Sequence, residues 1–573
     1  MTTTQIWQPH DQADGGLRTT EIPAGRLVLE ATSSSPLAWN VTESPQGVLE
    51  LLVRPAAPGV VRIAWRLPCV DVTAYWTHDS NEHRGLPPFW RKPRTASLEK
   101  GAPVGCLIGA GDVAVCTFAV GEVVRPVQTR TGVVEETGEF GFWVEHEAAP
   151  ETGLALRLDL SRRHFARTLA DVAAWWGAPG QVPRAARMPA YSTWYAMQQH
   201  VTAESVERQA ALSAALGCEA IIVDDGWHSD DRGRGYGYVG EWDPAIPRVA
   251  EHVARVREHG MAYLLWYALP FVGRHTALWE RVRPYTLTFK EHMNAAIVDP
   301  RYPFVRDLLS DRLARAVEEW GTDGLKIDFI DQFAVENPPE PGPEADCASV
   351  TEGVRRLMAQ LGARLPEGSL VELRQPYTSP GLWPYATMIR ASDCPLSPAH
   401  NRQRTVDLRL IAGPLAVHAD MMMWHPSESP ARIAAQLINV LFAVPQISVD
   451  LAAQTPGQTE VLRFWLSFVK EHAEVLQGGL FEPSRPDLVY PQVRASAGGV
   501  TIVGRYAPMP VAVPAEGTLL VANADDCDQV VLTGEGRATA TVADCAGRPV
   551  SAAEVTLPCA VTVPTGGLLR VRV

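Results

Sequence analysis

The sequence predicts a multidomain chain. A central (β/α)8 TIM barrel (residues 181–476) is flanked by an N-terminal β-sandwich-type domain (1–180) and a C-terminal antiparallel β-sandwich (477–573). Three observations carry this. Apolar strand-like runs and helix-length stretches alternate through the middle of the chain. Both ends are instead built of short alternating runs broken by Gly, Pro and Ser. The chain, at 573 residues, is also too long for one hydrophobic core.

In order, the N-terminal strands are read at 26–30, 47–53, 60–65, 112–119 and 154–160, with a helix at 165–176 leading out of the domain. The barrel begins with a strand-like run over 191–197. Thr202 then caps a helix that stops at Gly217, and residues 220–223 (AIIV) form a fully apolar second strand. Helices follow at 249–259, 303–320 and 350–361. Strands follow at 261–265, 324–327, 370–373, 387–391, 415–419 and 444–449. These eight strands, most followed by a helix or a helix-sized insert, span about 290 residues, the length of one barrel. A doubly wound open sheet is the alternative, but no glycine-rich fingerprint follows the first strand. Beyond the barrel, strands are read at 488–493, 500–505, 517–522, 529–533, 539–543 and 568–573.

Composition excludes several classes. Hydrophobic residues are 46% and charged residues 20%, which rules out wholesale disorder. A net charge of −14 argues against nucleic acid or an anionic membrane as the partner. No apolar run approaches the roughly 20 residues of a membrane span. The first sixteen residues lack the basic and apolar regions of a secretory signal. The nine cysteines show no CxxC pairing, which is expected of reduced thiols in a cytoplasmic protein. No metal or organic cofactor is implied.

In a barrel, chemistry gathers where the strands end. Strand 2 runs into Asp224-Asp225-Gly226-Trp227 and strand 3 into Trp266-Tyr267. Strand 4 carries Lys326 and Asp328, and strand 5 Glu372 and Arg374. Strand 6 gives Arg390 and Asp393, strand 7 His418 and Asp420, and strand 8 Gln446 and Asp450. Ionised groups left unpaired in a core are expensive, so this pattern points to function. Glycoside cleavage needs one ionised and one protonated carboxyl group on opposite sides of an anomeric carbon. Lys326 and Asp328, two apart on a strand, share the lumen, and the ammonium favours an ionised Asp328. Asp393 has an apolar flank in Cys394-Pro395 that would raise its pKa, with Arg390 opposing. The remaining groups would hold sugar hydroxyls, and Trp227 or Trp266 could line the apolar face of a ring.

The runs IIVDDGW, GLKIDF and IRASDCP resemble the three signature strands of the α-galactosidase clan. The resemblance is nearest to glycoside hydrolase family 36, with some likeness to family 27. It implies Asp328 as nucleophile, Asp393 as general acid/base, Asp224 and Asp225 on the 4- and 6-hydroxyls, and Lys326 beside the nucleophile. Arg390 would lie near the 2-hydroxyl. The implied activity is a retaining exo-α-glycosidase, most similar to an α-galactosidase, acting on an oligosaccharide or small glycoside. Homo-oligomers are common in that family. The chain departs from its bacterial members after strand 3, where Leu265–Pro270 replaces WFEPE, and after strand 5, where Glu372–Pro376 replaces a Cys- and Gly-rich turn. Those turns shape the sugar pocket, and Arg374 and His418 add charge suited to an acidic or otherwise modified sugar.

The rival readings are a transglycosidase of the raffinose-synthase kind, whose RASD run is similar, and a non-catalytic sugar-binding protein. The glycine-rich run 230–240 lacks GK[ST] and is expected to be a rim loop rather than a phosphate cradle. His418 and Asp420 mimic a metal pair without a third ligand, so a simple hydrogen bond is expected instead. The aromatic runs 75–78 and 87–90 are expected to reach over the barrel mouth of the same or a neighbouring subunit.

Overall fold

The structure is a computed structural model. It describes residues 17–78, 84–177, 182–231, 233 and 235–573, so the N-terminal run read for a signal lies outside the described residues. Two six-stranded sheets come first, spanning Arg18–Asp159. Strict alternation such as Leu27–Ser33, with Leu27, Leu29, Ala31 and Ser33 buried, turns one face of each sheet inward. Leu29, Val53, Ile63, Phe118 and Phe142 meet in one core between the sheets. The helix Phe165–Trp176 then leads to the barrel, with the limits expected from the sequence.

The barrel's eight parallel strands are β1 (Ala190–Ser192), β2 (Ala220–Val223), β3 (Ala262–Ala268), β4 (Gly324–Asp328), β5 (Leu370–Arg374), β6 (Met388–Arg390), β7 (Ala416–His418) and β8 (Gln446–Ile447). They hydrogen-bond in that order, with β8 returning to β1. A bridge from His418 to Val444 joins β7 to the start of β8 and closes the ring. The first strand is shorter than its sequence implies, because Trp194–Met197 is a helical turn. The helices Ala203–Leu216 and Pro303–Trp320 end where their signals place them. Thr202 caps the first through a reciprocal bond with Ser205, and Gly217 and Gly321 close both in the left-handed region.

The side chains along each strand change character with height. The lowest lumen layer is apolar, with Ala190, Ala220, Ile222, Leu264, Leu370, Met388, Ala416 and Val444 packed together. Two residues further on, the same faces carry Trp266, Lys326, Glu372, Arg390, His418 and Gln446. Asp328 and Arg374 stand one step above Lys326 and Glu372. An apolar plug thus supports a polar layer, and the polar layer supports the charged mouth. A three-stranded insert after β3 (Phe271–Gly273, Thr286–Lys290, Ala295–Val298) packs beside the mouth, Phe271 lying against Tyr236 and Phe329.

The C-terminal strands form one eight-stranded sheet from Leu480 to Arg572 with its own core, which includes Val503, Leu519, Val542 and Leu569. Most pairings are antiparallel. Val500–Arg505 with Thr518–Asn523, and Val511–Ala512 with Leu532–Thr533, are parallel. The runs read at 529–533 and 539–543 are one long bulged strand, Gln529–Ala543. Its hairpin partner, Pro549–Thr562, was not legible in the sequence.

The three parts interlock at Asp407, on the barrel helix Pro398–Ile411. This fully buried carboxylate accepts hydrogen bonds from Trp76 Nε1 (2.8 Å) and Arg84 of the N-terminal part, and from Tyr490 Oη (2.5 Å) of the C-terminal part. Trp76 is therefore part of a domain joint, not a cover for the mouth. Trp90 is 73% exposed, donates to Glu135 Oε1 at 3.4 Å, and does not line the barrel pocket of its own chain.

Candidate active site

The C-terminal ends of the strands enclose a small pocket lined by Asp224, Asp225, Trp266, Lys326, Asp328, Arg390 and Asp393, together with Trp194, Tyr236, Phe329 and Met421. Asp328 closes β4 and is almost fully buried. Its Oδ2 accepts from Trp266 Nε1 at 3.0 Å. Its Oδ1 accepts from Arg374 Nε at 2.5 Å and from the backbone N–H of Phe329 at 2.8 Å. Burial alone would raise its pKa, but Arg374, Lys326 and Arg390 outweigh burial and hold the carboxyl well below the usual carboxylate range. Phe329, directly after it, adopts φ +68°, an uncommon conformation for a bulky residue.

Asp224 and Asp225 follow β2. Lys326 Nζ donates to Asp224 Oδ2 at 2.5 Å, and the Asp224 N–H donates to Thr193 Oγ1 at 2.9 Å. Asp225 accepts from Gln199 Nε2 at 3.1 Å and lies 3.1 Å from His228 Nε2. Gly226 then turns at φ +104°, where a Cβ would stand 2.7 Å from the Gln199 backbone, so only glycine fits this bend. The turn sends Trp227 backwards. It is fully buried, donates to the Trp266 carbonyl at 2.9 Å, and packs among Trp242, Tyr267 and Trp320. The expectation that Trp227 faces a sugar is corrected: it props Trp266 from behind.

Arg390 is buried and donates through Nη1 to Asp420 Oδ1 at 2.6 Å and to Asp393 Oδ1 at 3.0 Å. Asp420 also accepts from Tyr195 Oη at 3.2 Å and from the Cys394 N–H at 2.6 Å, which ties the Asp393 turn to β7. The Asp393 side chain is 60% exposed, so its carboxyl faces the opening. Its pKa runs opposite to the sequence expectation. Partial burial raises it, but the Arg390 and Lys326 charges outweigh burial and leave it below the ordinary value.

Three further expectations change. Glu372 pairs in register with Lys326, one step below the mouth. It is completely buried, accepts from Gln446 Nε2 at 2.5 Å and lies 3.8 Å from Arg390 Nε, so it supports Arg390 and does not line the pocket. Arg374 grips Asp328 from outside the pocket lining, its guanidinium 5.1 Å from the centre of the Phe329 ring and 5.6 Å from that of Tyr377. His418 is not a switchable charge. Its Nε2 lies 2.7 Å from the Ala186 carbonyl and its Nδ1 3.0 Å from Gln446 Nε2, and burial pushes its pKa down to about 4. Among the described residues no group of three or more His, Cys, Asp or Glu could hold a metal ion.

Sequence reasoning missed Trp194, Tyr236, Phe329 and Met421 as pocket walls. Tyr236 comes from the glycine-rich run 230–240, in which Arg232 and Arg234 lie outside the described residues. Its N–H bonds to the Met293 carbonyl of the insert at 2.7 Å, and its ring packs against Trp266, Phe271 and Phe329.

A β-domain, a barrel with carboxylates at its mouth and a second β-domain together define one three-part fold. That fold is shared with α-galactosidases of glycoside hydrolase family 36. The enzyme AgaA of Geobacillus stearothermophilus, solved with stachyose, superimposes with a TM-score of 0.64 at 14% identity, covering 99% of this chain and 84% of that one. The α-galactosidase of Lactobacillus brevis gives 0.66 at 14% identity over 97% and 84%. TtGalA of Thermus thermophilus, solved with p-nitrophenyl α-D-galactopyranoside, gives 0.57 at 17% identity over 83% and 98%. A curated sequence relative, the bifunctional α-galactosidase/sucrose kinase AgaSK of Mediterraneibacter gnavus, is 22% identical over 150 residues. That match covers 24% of this chain and 16% of the relative. No family model matches the chain. No helix among the described residues is long and apolar enough to cross a membrane.

Proposed function

We propose that the chain is a retaining exo-α-glycosidase acting on a terminal α-linked sugar, with an α-galactoside as the first substrate to test. One observation carries this reading: Asp328 and Asp393 line a single pocket, the first held firmly ionised and the second open to the entrance. Asp328 Oδ attacks the anomeric carbon while Asp393 gives its proton to the leaving oxygen. Esterifying Asp328 removes a negative charge that raises the Asp393 pKa. Asp393 therefore becomes a stronger acid at the intermediate and persists there as the carboxylate that takes a proton from water. The acidic pair Asp224-Asp225, with Lys326, offers acceptors and a donor for ring hydroxyls, and the solved enzymes that share the fold are α-galactosidases. A panel of aryl α- and β-glycosides, read by NMR for the anomer first released, tests the reading. Release of the inverted anomer first overturns it.

Trp266→Phe keeps an aromatic wall but removes the donor to Asp328 Oδ2. Loss of a hydrogen bond to a charged group costs about 1.5–3 kcal/mol, so kcat/KM is expected to fall about 10- to 150-fold, measured with an aryl glycoside.

The pH profile follows from Asp393. The acid must be protonated in the free enzyme, and its pKa is held low, so kcat/KM for an alkyl glycoside is expected to fall with rising pH already in the acid range. A 2,4-dinitrophenyl glycoside, whose leaving group needs no proton, should lose that limb. An identical limb with both substrates removes Asp393 from the role.

A second reading rests on Arg374, which puts a guanidinium on the nucleophile where the resembled enzymes carry a different turn. It favours an acidic or otherwise modified sugar, so uronides belong in the same panel.

A further inference from the structure

A second cavity, of about 1080 Å³, lies at the opposite end of the barrel and shares no lining residue with the mouth pocket. It is an open cleft lined by the helix Phe165–Trp176, the chain entering β1, β7 and β8, the end of the last barrel helix, and the strand Leu480–Ser484. Four of its cations have carboxylate partners: Arg163 with Asp171 (2.6 Å), Arg167 with Glu482 (2.7 Å), and Arg184 and Lys470 with Glu219 (2.6 and 2.9 Å).

Arg187 and Arg409 differ. Among the described residues neither makes an ion pair. Arg187 Nη2 donates to the Pro414 carbonyl at 2.8 Å. Arg409 Nη1 donates to the Phe442 carbonyl at 2.9 Å, and its guanidinium lies 4.2 Å from the centre of the Phe481 ring. Burial, and then the neighbouring Arg187 charge, push the Arg409 pKa down to about 9. Two half-buried like charges that line one cavity without a carboxylate partner repel each other, and each guanidinium, with five N–H donors, has given one to a carbonyl. Their planar donor sets match an oxyanion. Leu410, Leu415 and Phe442 supply an apolar wall beside them.

We propose that this cavity binds a small organic anion, with a phosphate or carboxylate group between Arg187 and Arg409 and an apolar part against Leu410, Leu415 and Phe442. The volume suits a metabolite-sized ligand. The test is calorimetry and thermal melting of the full chain at fixed ionic strength. The probes are inorganic phosphate, glucose 6-phosphate and octanoate, with glucose and sodium chloride as controls. A phosphate or carboxylate probe is expected to raise Tm above the chloride control and to bind at one site, and the tighter of the two identifies the headgroup. Arg187→Gln and Arg409→Gln should weaken that binding at least ten-fold while leaving aryl-glycoside kinetics unchanged, so this site fails or holds independently of the mouth. Arg409→Met should melt no lower than the parent in anion-free buffer, because it relieves the repulsion between two neighbouring cations, and should lose the anion-induced rise. If a variant does not melt cooperatively, protection of Arg187 and Arg409 from phenylglyoxal by the bound probe, mapped by peptide mass, tests the same contact in the parent. Equal Tm in all anions and chloride, or Gln variants that bind like the parent, overturns the proposal.

Discussion

Replacing Asp328 with asparagine is expected to cut turnover of any glycoside substrate by on the order of 10⁴-fold or more while the protein still folds. The amide cannot form the ester, and Arg374 loses the carboxylate it holds at 2.5 Å. Because the folded-state pKa of Asp328 is depressed, its contribution to stability is fully present above the unfolded value of about 3.9 and is lost as pH falls below it. The Tm gap between parent and Asp328→Asn should therefore narrow in strong acid. Asp328→Gly adds a sharper test. Azide placed in the vacated space should attack the anomeric carbon as Asp393 protonates the leaving oxygen, giving a glycosyl azide of inverted configuration. Near-parental turnover in the Asn variant, or no azide adduct alongside intact substrate binding, removes Asp328 as nucleophile.

The largest expected effect on stability is at Asp407. Asp407→Ala takes from the buried Arg84 the carboxylate it pairs with and strips Trp76 and Tyr490 of their acceptor. Breaking one side of a buried pair costs about 3–5 kcal/mol, so denaturant and thermal unfolding should shift strongly. The double change Arg84→Met with Asp407→Leu should recover much of the loss, because both charges of this buried pair are then removed together. A single variant as stable as the parent would show that this joint does not hold the three parts together.

The fold was legible where local signals act alone. Thr202 and Gly217, and Pro303 and Gly321, bracket their helices because caps and left-handed stops are decided within a few residues. The lumen faces followed from spacing by two. Depth in the barrel did not. Glu372 and Arg374 have the same sequence pattern as Lys326 and Asp328, and Glu372 stands level with Lys326, but Lys326 reaches up to Asp224 while Glu372 is held by Gln446, a partner no local pattern shows. Trp227 was misplaced because the bend at Gly226 reverses the direction that a strand end implies. Tyr236 was missed because a backbone bond to the distant insert places it. The strand Pro549–Thr562 was missed because its first six residues are exposed and Pro558 interrupts the run, although Val555, Leu557, Cys559 and Val561 alternate toward the core.

The Arg374–Asp328 contact has a consequence for inhibition. Sugar mimics with a protonated ring nitrogen gain affinity by setting a cation beside a bare nucleophile carboxylate. Here a guanidinium already occupies one oxygen and an indole N–H the other. A charged mimic entering this pocket meets a like charge, so neutral lactone-type mimics should outcompete their basic counterparts.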